Sequence, residues 1–224
     1  MNITIEACLL GAALAFALPA TAQASDTQYW QTVTANAKLS DQTVISDELV
    51  FRSSDAKGFY EVENSLLLGY KVSKNVTAYA GWVLNPLYNH GTFTTTENRA
   101  REQVSFDNIL TIGKAKLSAR LRLEERWRDG QTGTGWRLRP YVKLSVPVVG
   151  KTVLNLTHES FIDLNTTTFQ RVNGYERMRN AILLNAPLGK HVNLEVGYLN
   201  QHGFVPNGPD TSDNVVMTGI SAKF

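Results

Sequence analysis

The sequence predicts an all-β protein, a transmembrane antiparallel up-and-down barrel of about 10–12 strands with twelve favoured. Three observations lead there. Hydrophobicity alternates with a period of two along almost the whole chain after residue 24. The alternating segments run about 10–14 residues, against roughly 5–6 for soluble strands, and about 9–11 suffice to cross a bilayer at a tilt. Short and long connections also alternate, as in barrels with tight turns on one side and long loops on the other.

The segments are justified in chain order. In the first, Tyr60, Val62, Leu66, Leu68, Tyr70 and Val72 oppose Glu61, Glu63, Ser65 and Lys71. Next, Val104, Phe106, Leu110 and Ile112 oppose Arg101, Gln103, Ser105 and Asp107. From Leu117 to Arg128 the split is strict: Leu117, Ala119, Leu121, Leu123, Glu125 and Trp127 against Ser118, Arg120, Arg122, Glu124, Arg126 and Arg128. A strand puts these sets on opposite faces, whereas a helix would mix them. Trp136, Leu138, Pro140, Val142, Leu144 and Val146 then oppose Arg137, Arg139, Tyr141, Lys143 and Ser145. Val192, Leu194, Val196 and Tyr198 oppose Asn193, Glu195 and Gly197, and a last strand carries Val216, Ile220, Ala222 and Phe224 on one face.

Short connections are expected at 73–75, 112–114, 147–151 and 186–191, and long ones at 85–98, 129–135, 163–170 and 202–213. The candidate strands number eleven, an odd count, and the region from Tyr29 to Arg52 is where a strand is expected to be missing or surplus. Trp30, Tyr60, Tyr70, Trp82, Trp127, Trp136, Tyr198 and Phe224 fall near strand ends, mostly on the apolar face, as interfacial girdles do.

Composition narrows the function. The chain has 224 residues, 43% of them hydrophobic, and a net charge of +2, which gives no general case for nucleic acid. Its single cysteine, Cys8, lies in the first segment, so neither disulfides nor thiolate chemistry serve the rest. Residues 1–24 read as a cleaved signal peptide: an apolar run from Ala7 to Leu18, Pro19, and the small-x-small site Ala22-Gln23-Ala24 before Ser25. The leading segment carries Glu6 and no Lys or Arg. No later stretch is long and apolar enough for a helical span, so entry into a membrane requires a closed barrel over 25–224. Exported to the bacterial outer membrane, such a chain has outer-membrane lipid, lipopolysaccharide and the barrel-assembly machinery as its expected partners. A terminal Phe224 behind alternating apolar residues fits that machinery's sorting signal, and a monomer without cofactor is expected.

Several short motifs, in order, carry a resemblance. They are Arg120-Leu121-Arg122-Leu123-Glu124-Glu125-Arg126, Arg137-Leu138-Arg139, His158-Glu159-Ser160-Phe161, Glu176-Arg177-Met178-Arg179, the Glu195 to Gln201 run and the final Phe224. Together they resemble an uncharacterised proteobacterial barrel family catalogued as domain of unknown function 2490. The resemblance implies an outer-membrane location and offers no activity.

With the polar face inward, the lumen is crowded with Arg101, Arg120, Arg122, Arg126, Arg137, Arg139, Lys143, Arg177 and Arg179, opposed by Glu48, Glu61, Glu63, Glu124, Glu159 and Glu195. Unpaired buried charges are costly, so these side chains are expected to interleave as ion pairs. Such a ladder either plugs the barrel or lines a narrow channel whose basic excess favours anions. A different class of function rests on His158 and Ser160, which alternation puts on one face, the lipid side. The pair resembles the His-x-Ser arrangement of outer-membrane lipid A 3-O-deacylases, with Glu176 as the candidate third member. His90, His191 and His202 are spaced irregularly in expected loops and turns and suggest no metal site.

Overall fold

The computed structural model describes residues 24–224. The expected signal peptide lies outside the described residues except for its last residue, Ala24, which begins β1. Within them are eleven strands and no helix, closed into a barrel. The strands are β1 (Ala24–Lys38), β2 (Thr43–Ser54), β3 (Gly58–Ser73), β4 (Val76–Asn89), β5 (Thr92–Ile112) and β6 (Ala115–Arg128). They continue with β7 (Gly135–Val149), β8 (Thr152–Asp163), β9 (Gly174–Pro187), β10 (Val192–Gly203) and β11 (Thr211–Lys223).

Each strand pairs antiparallel with its chain neighbours, and β1 closes the sheet against β11 in parallel, from Ala24↔Thr211 to Asn36↔Lys223. An up-and-down sheet closes antiparallel only with an even strand count, so eleven strands oblige the first and last to run the same way. The barrel therefore falls inside the expected range without the even number favoured from sequence. The region from Tyr29 to Arg52 holds most of β1 and most of β2, and no further strand. Phe224 extends the closure: its N–H donates to the Asn36 carbonyl at 2.9 Å and its carbonyl accepts from Lys38 at 3.1 Å.

Connections at one rim, 39–42, 74–75, 113–114, 150–151 and 188–191, are tight. At the other rim the connections 129–134, 164–173 and 204–210 are long, while 55–57 and 90–91 are not. The expected long loop at 85–98 is a correction. There β4 and β5 run on to a two-residue turn, His90-Gly91, with φ of 49° and 80°. Positive φ at both central residues matches the strands' right-handed twist, and this is how a hairpin closes in two residues. The Asn, Gly and Thr residues around the turn look like loop chemistry and instead form a ladder from Asn85↔Glu97 to Asn89↔Thr92.

The wall is apolar outside. Leu66, Leu68, Trp82, Leu121, Ile182 and Val216 are between 47 and 55% exposed. Trp82 and Trp127 stack on that outer face with ring centroids 5.6 Å apart. Inside, every strand contributes a buried side chain, among them Trp30, Val50, Glu63, Val83, Arg101, Glu124, Arg139, Glu159, Ala181, Leu199 and Val215. Leu183, Leu199, Val215 and Ala181 meet Trp30 in one apolar cluster along β9, β10, β11 and β1. Inward leucines are accommodated where the facing strand carries glycine: a Cβ on Gly197 would lie 2.8 Å from Leu183, and one on Gly81 2.8 Å from Leu67.

Candidate functional site

The remaining sector of the lumen, from β2 to β9, is ionic, because strict alternation on β6 and β7 aims every second side chain inward. Glu124 on β6 is fully buried and accepts from three arginines. Arg101 on β5 reaches it at 2.8 Å, and from β7 so do Arg137 at 2.7 Å and Arg139 at 2.9 Å. Glu63 on β3 accepts from Arg99 at 3.0 Å, Arg101 at 2.9 Å and Arg52 at 3.5 Å. Glu97 on β5 holds Arg99 at 2.7 Å, Arg126 at 3.0 Å and Arg128 at 2.6 Å. Glu159 on β8 holds Arg139 at 3.0 Å and also pairs with Arg120. Each carboxylate thus bridges strands, and shared arginines join the four into one network. Burying so many charges costs several kcal/mol per ion, which only multiple charge-assisted hydrogen bonds offset.

The structure places the expected lumen residues unevenly. Arg101, Arg120, Glu124, Arg126, Arg137, Arg139 and Glu159 stand in the network. Arg122 is buried but donates only to the Gln103 side-chain oxygen Oε1, at 2.8 and 3.0 Å. Arg177 pairs with its neighbour Glu176, and Arg179 donates to Gln201 at 2.8 Å. Lys143 and Glu195 are half-buried and enter no ion pair among the described residues. Glu97 and Arg99 are absent from the lumen set expected from sequence: Glu97 falls within the expected loop at 85–98 and Arg99 directly follows it. The signal that could have found them is the period-two run Glu97, Arg99, Arg101, Gln103.

Two aromatics expected on the outer girdle point inward. Trp30 is buried, and its Nε1–H reaches Gln28 Oε1 at 2.9 Å and Tyr60 Oη at 3.0 Å. Tyr60 is the extra residue of a bulge opposite Arg52/Ser53, which turns its ring to the lumen beside Glu61. Arg52 and Arg179 lie over the Trp30 ring at 4.4 and 4.5 Å.

Above this network the lumen widens into a cavity of about 1050 Å³. Its lower wall carries Trp30, Phe161, Arg139 and Arg179, and its upper wall carries Leu87, Tyr88, Val172, Phe204, Val205 and Pro206 from the long-loop rim.

A second arrangement sits on the outer wall. His158 Nε2 is 3.0 Å from Ser160 Oγ, and His158 Nδ1 is 2.7 Å from Asn180 Oδ1 on β9. Ser160 Oγ also lies 2.7 Å from Tyr175 Oη. The tautomer protonated at Nδ1 satisfies the Asn180 amide oxygen and leaves Nε2 to accept from the serine. Glu176 does not join them: it lines the lumenal cavity and pairs with Arg177. The β7–β8 register is unpaired between Leu138↔Ile162 and Tyr141↔Glu159, opposite Pro140, which lacks an N–H. A pocket of about 220 Å³ opens at that gap, lined by Phe106, Leu121, Pro140, Val142, His158 and Ser160 among others. Among the described residues, no group of His, Cys, Asp and Glu side chains is arranged to hold a metal ion.

The fold and these sites can be set against known proteins. An uncharacterised protein of Methylorubrum extorquens is 26% identical over 161 residues, covering 70% of each chain. No solved structure matches. The profile of a protein family of unknown function, DUF2490, matches residues 27–213, which takes in all the strands that carry the ionic network. The chain belongs to that family.

Proposed function

We propose that this protein is an outer-membrane barrel with a closed lumen, a scaffold that presents its long-loop rim and the cavity beneath it. The observation that carries the reading is Glu124, fully buried and bonded to arginines from the strands on both sides. Such a cluster on one side, and Trp30, Leu183, Leu199 and Val215 on the other, crowd the interior with buried side chains, which supports a closed lumen in a barrel of this size. The apolar outer wall supports the membrane assignment, since soluble proteins rarely expose large contiguous apolar surfaces. Lumenal charge and external leucine are also the reverse of a soluble barrel's pattern. The test is fractionation of cells producing the protein. It should be recovered in outer membranes, resist carbonate extraction and migrate faster on gels unheated than boiled. Recovery in the soluble fraction overturns the reading.

One observation favours a second reading, a lipid acyl hydrolase. His158, Ser160 and Asn180 stand as base, nucleophile and orienting group on the lipid-facing side, next to an apolar slot. In this reading His158 Nε2 takes the Ser160 proton as Oγ attacks an ester carbonyl. The ester C–O bond breaks and the alcohol leaves with that proton. A water deprotonated by His158 then attacks the acyl-serine, releasing the fatty acid as the proton returns to Ser160 Oγ. The expected result is that lipid A from cells producing the protein loses an acyl chain and that Ser160→Ala abolishes the loss. Identical acylation with both forms removes the hydrolase.

A further inference from the structure

The cavity at the long-loop rim contains a cation that the protein itself leaves unpaired. Most cavity arginines are each held by a carboxylate, supplied by Glu61, Glu63, Glu97, Glu124, Glu159 or Glu176. Arg179 is different. Among the described residues it meets no carboxylate, and its recorded hydrogen bond is from Nε to Gln201 Oε1 at 2.8 Å. Gln201 passes its own amide to Asp213 at 2.9 Å, which fixes the carbonyl end toward Arg179. The guanidinium carbon lies over two rings, 4.5 Å from the Trp30 centroid and 4.6 Å from that of Phe161. Arg179 is thus held through its Nε and by its contacts with the two rings. The two terminal amino groups make no hydrogen bond among the described residues. Fixed, unsatisfied N–H pairs of this kind match a phosphate or carboxylate fork.

Neighbouring charge strengthens the case. Arg52 shares the Trp30 ring with Arg179, and Arg177 and Arg139 share the Phe161 ring at 5.6 and 4.4 Å. Like charges brought this close repel unless an anion joins them. The rim above is apolar, through Tyr88, Phe204, Val205 and Pro206, and the volume suits a ligand rather than a few ions. We infer that the cavity binds a soluble organic anion, with a phosphate or carboxylate head on Arg179 and an aromatic or aliphatic body against the rim. The inference deepens the closed-lumen reading, because a blind cavity retains such a ligand where a pore would pass it.

The test is calorimetric titration of the detergent-purified protein with phenyl phosphate, inorganic phosphate and benzyl alcohol. Phenyl phosphate is expected to bind saturably, inorganic phosphate at least about tenfold more weakly, and benzyl alcohol not measurably. Arg179→Gln should weaken phenyl phosphate at least about tenfold, the cost of a charged hydrogen-bond partner. Arg122→Gln, which alters a buried arginine outside the cavity, should leave binding unchanged. Faster gel migration of unheated samples checks that each variant is folded. No saturable binding by the folded wild type, or equal binding by Arg179→Gln, overturns the site. Ion conduction by protein that still binds phenyl phosphate would remove the closed lumen and leave the site standing.

Discussion

Arg101 and Glu124 have no exposed side-chain surface, and they meet through two hydrogen bonds, from Nε at 3.0 Å and Nη2 at 2.8 Å, onto one carboxylate oxygen. The second oxygen of Glu124 is taken by Arg137, through Nε at 3.0 Å and Nη2 at 2.7 Å. The carboxylate is therefore a cross-strand joint between β5, β6 and β7, at a place where water cannot substitute.

Its removal should be costly. Glu124→Gln leaves Arg101, Arg137 and Arg139 as buried cations short of a counter-charge, and a loss of about 3–5 kcal/mol of unfolding free energy is expected. Glu102 lies one residue along β5 from Arg101 but faces outward and is exposed, so Glu102→Gln should change stability by no more than about 0.5 kcal/mol. Urea unfolding followed by tryptophan fluorescence measures both. Equal effects would mean that the lumenal pairs contribute no more than a surface carboxylate.

Close approach of strands β9 and β10 depends on Gly197. A Cβ there would lie 2.2 Å from the Ile182 carbonyl oxygen and 2.8 Å from the Leu183 Cα, and backbone cannot move aside cheaply. Gly197→Val should cost at least about 3 kcal/mol, at or beyond the upper end of overpacking penalties. Gly189→Val, in an open turn with nothing within 4 Å, should fold as the wild type does. The yield of folded barrel, read from unheated gel migration, separates the two.

Trp82 and Trp127 stack across β4–β6 on the outer wall with an interplanar angle of 12°. A double-mutant cycle with Trp82→Ala and Trp127→Ala should give a coupling of about 0.5–1.5 kcal/mol. A coupling near zero would mean that the two rings act only as separate apolar groups.

Much of this was legible in the sequence, and the failures have local causes. On β6 and β7 the alternation is uninterrupted, so Arg120 to Arg128 and Arg137 to Lys143 read directly onto the inner face. On β3 a bulge breaks the period at Tyr60 and reverses its expected face. Trp30 is misread for another reason: a tryptophan suits a lumen when Nε1 finds a partner, and Gln28 and Tyr60 are partners only after β1, β2 and β3 assemble. The Asn, Pro and Gly residues between Asn85 and Gly91 mimic a loop, which hid Glu97 and broke the alternation just before Arg99. Parallel closure of β1 on β11 joins residues almost a whole chain apart, and no local pattern encodes it. Asn180 was equally invisible, because it reaches His158 only through the β8–β9 register.

Single-channel recording in planar bilayers, with a salt gradient across the membrane, tests the closed lumen most directly. Inserted, folded protein is predicted to pass no discrete current, because Glu124, Glu159 and their arginines crowd the lumen with buried, paired side chains. Discrete anion-preferring steps that shrink when Arg122 or Arg139 is neutralised would contradict it and make the same arginines the lining of a pore.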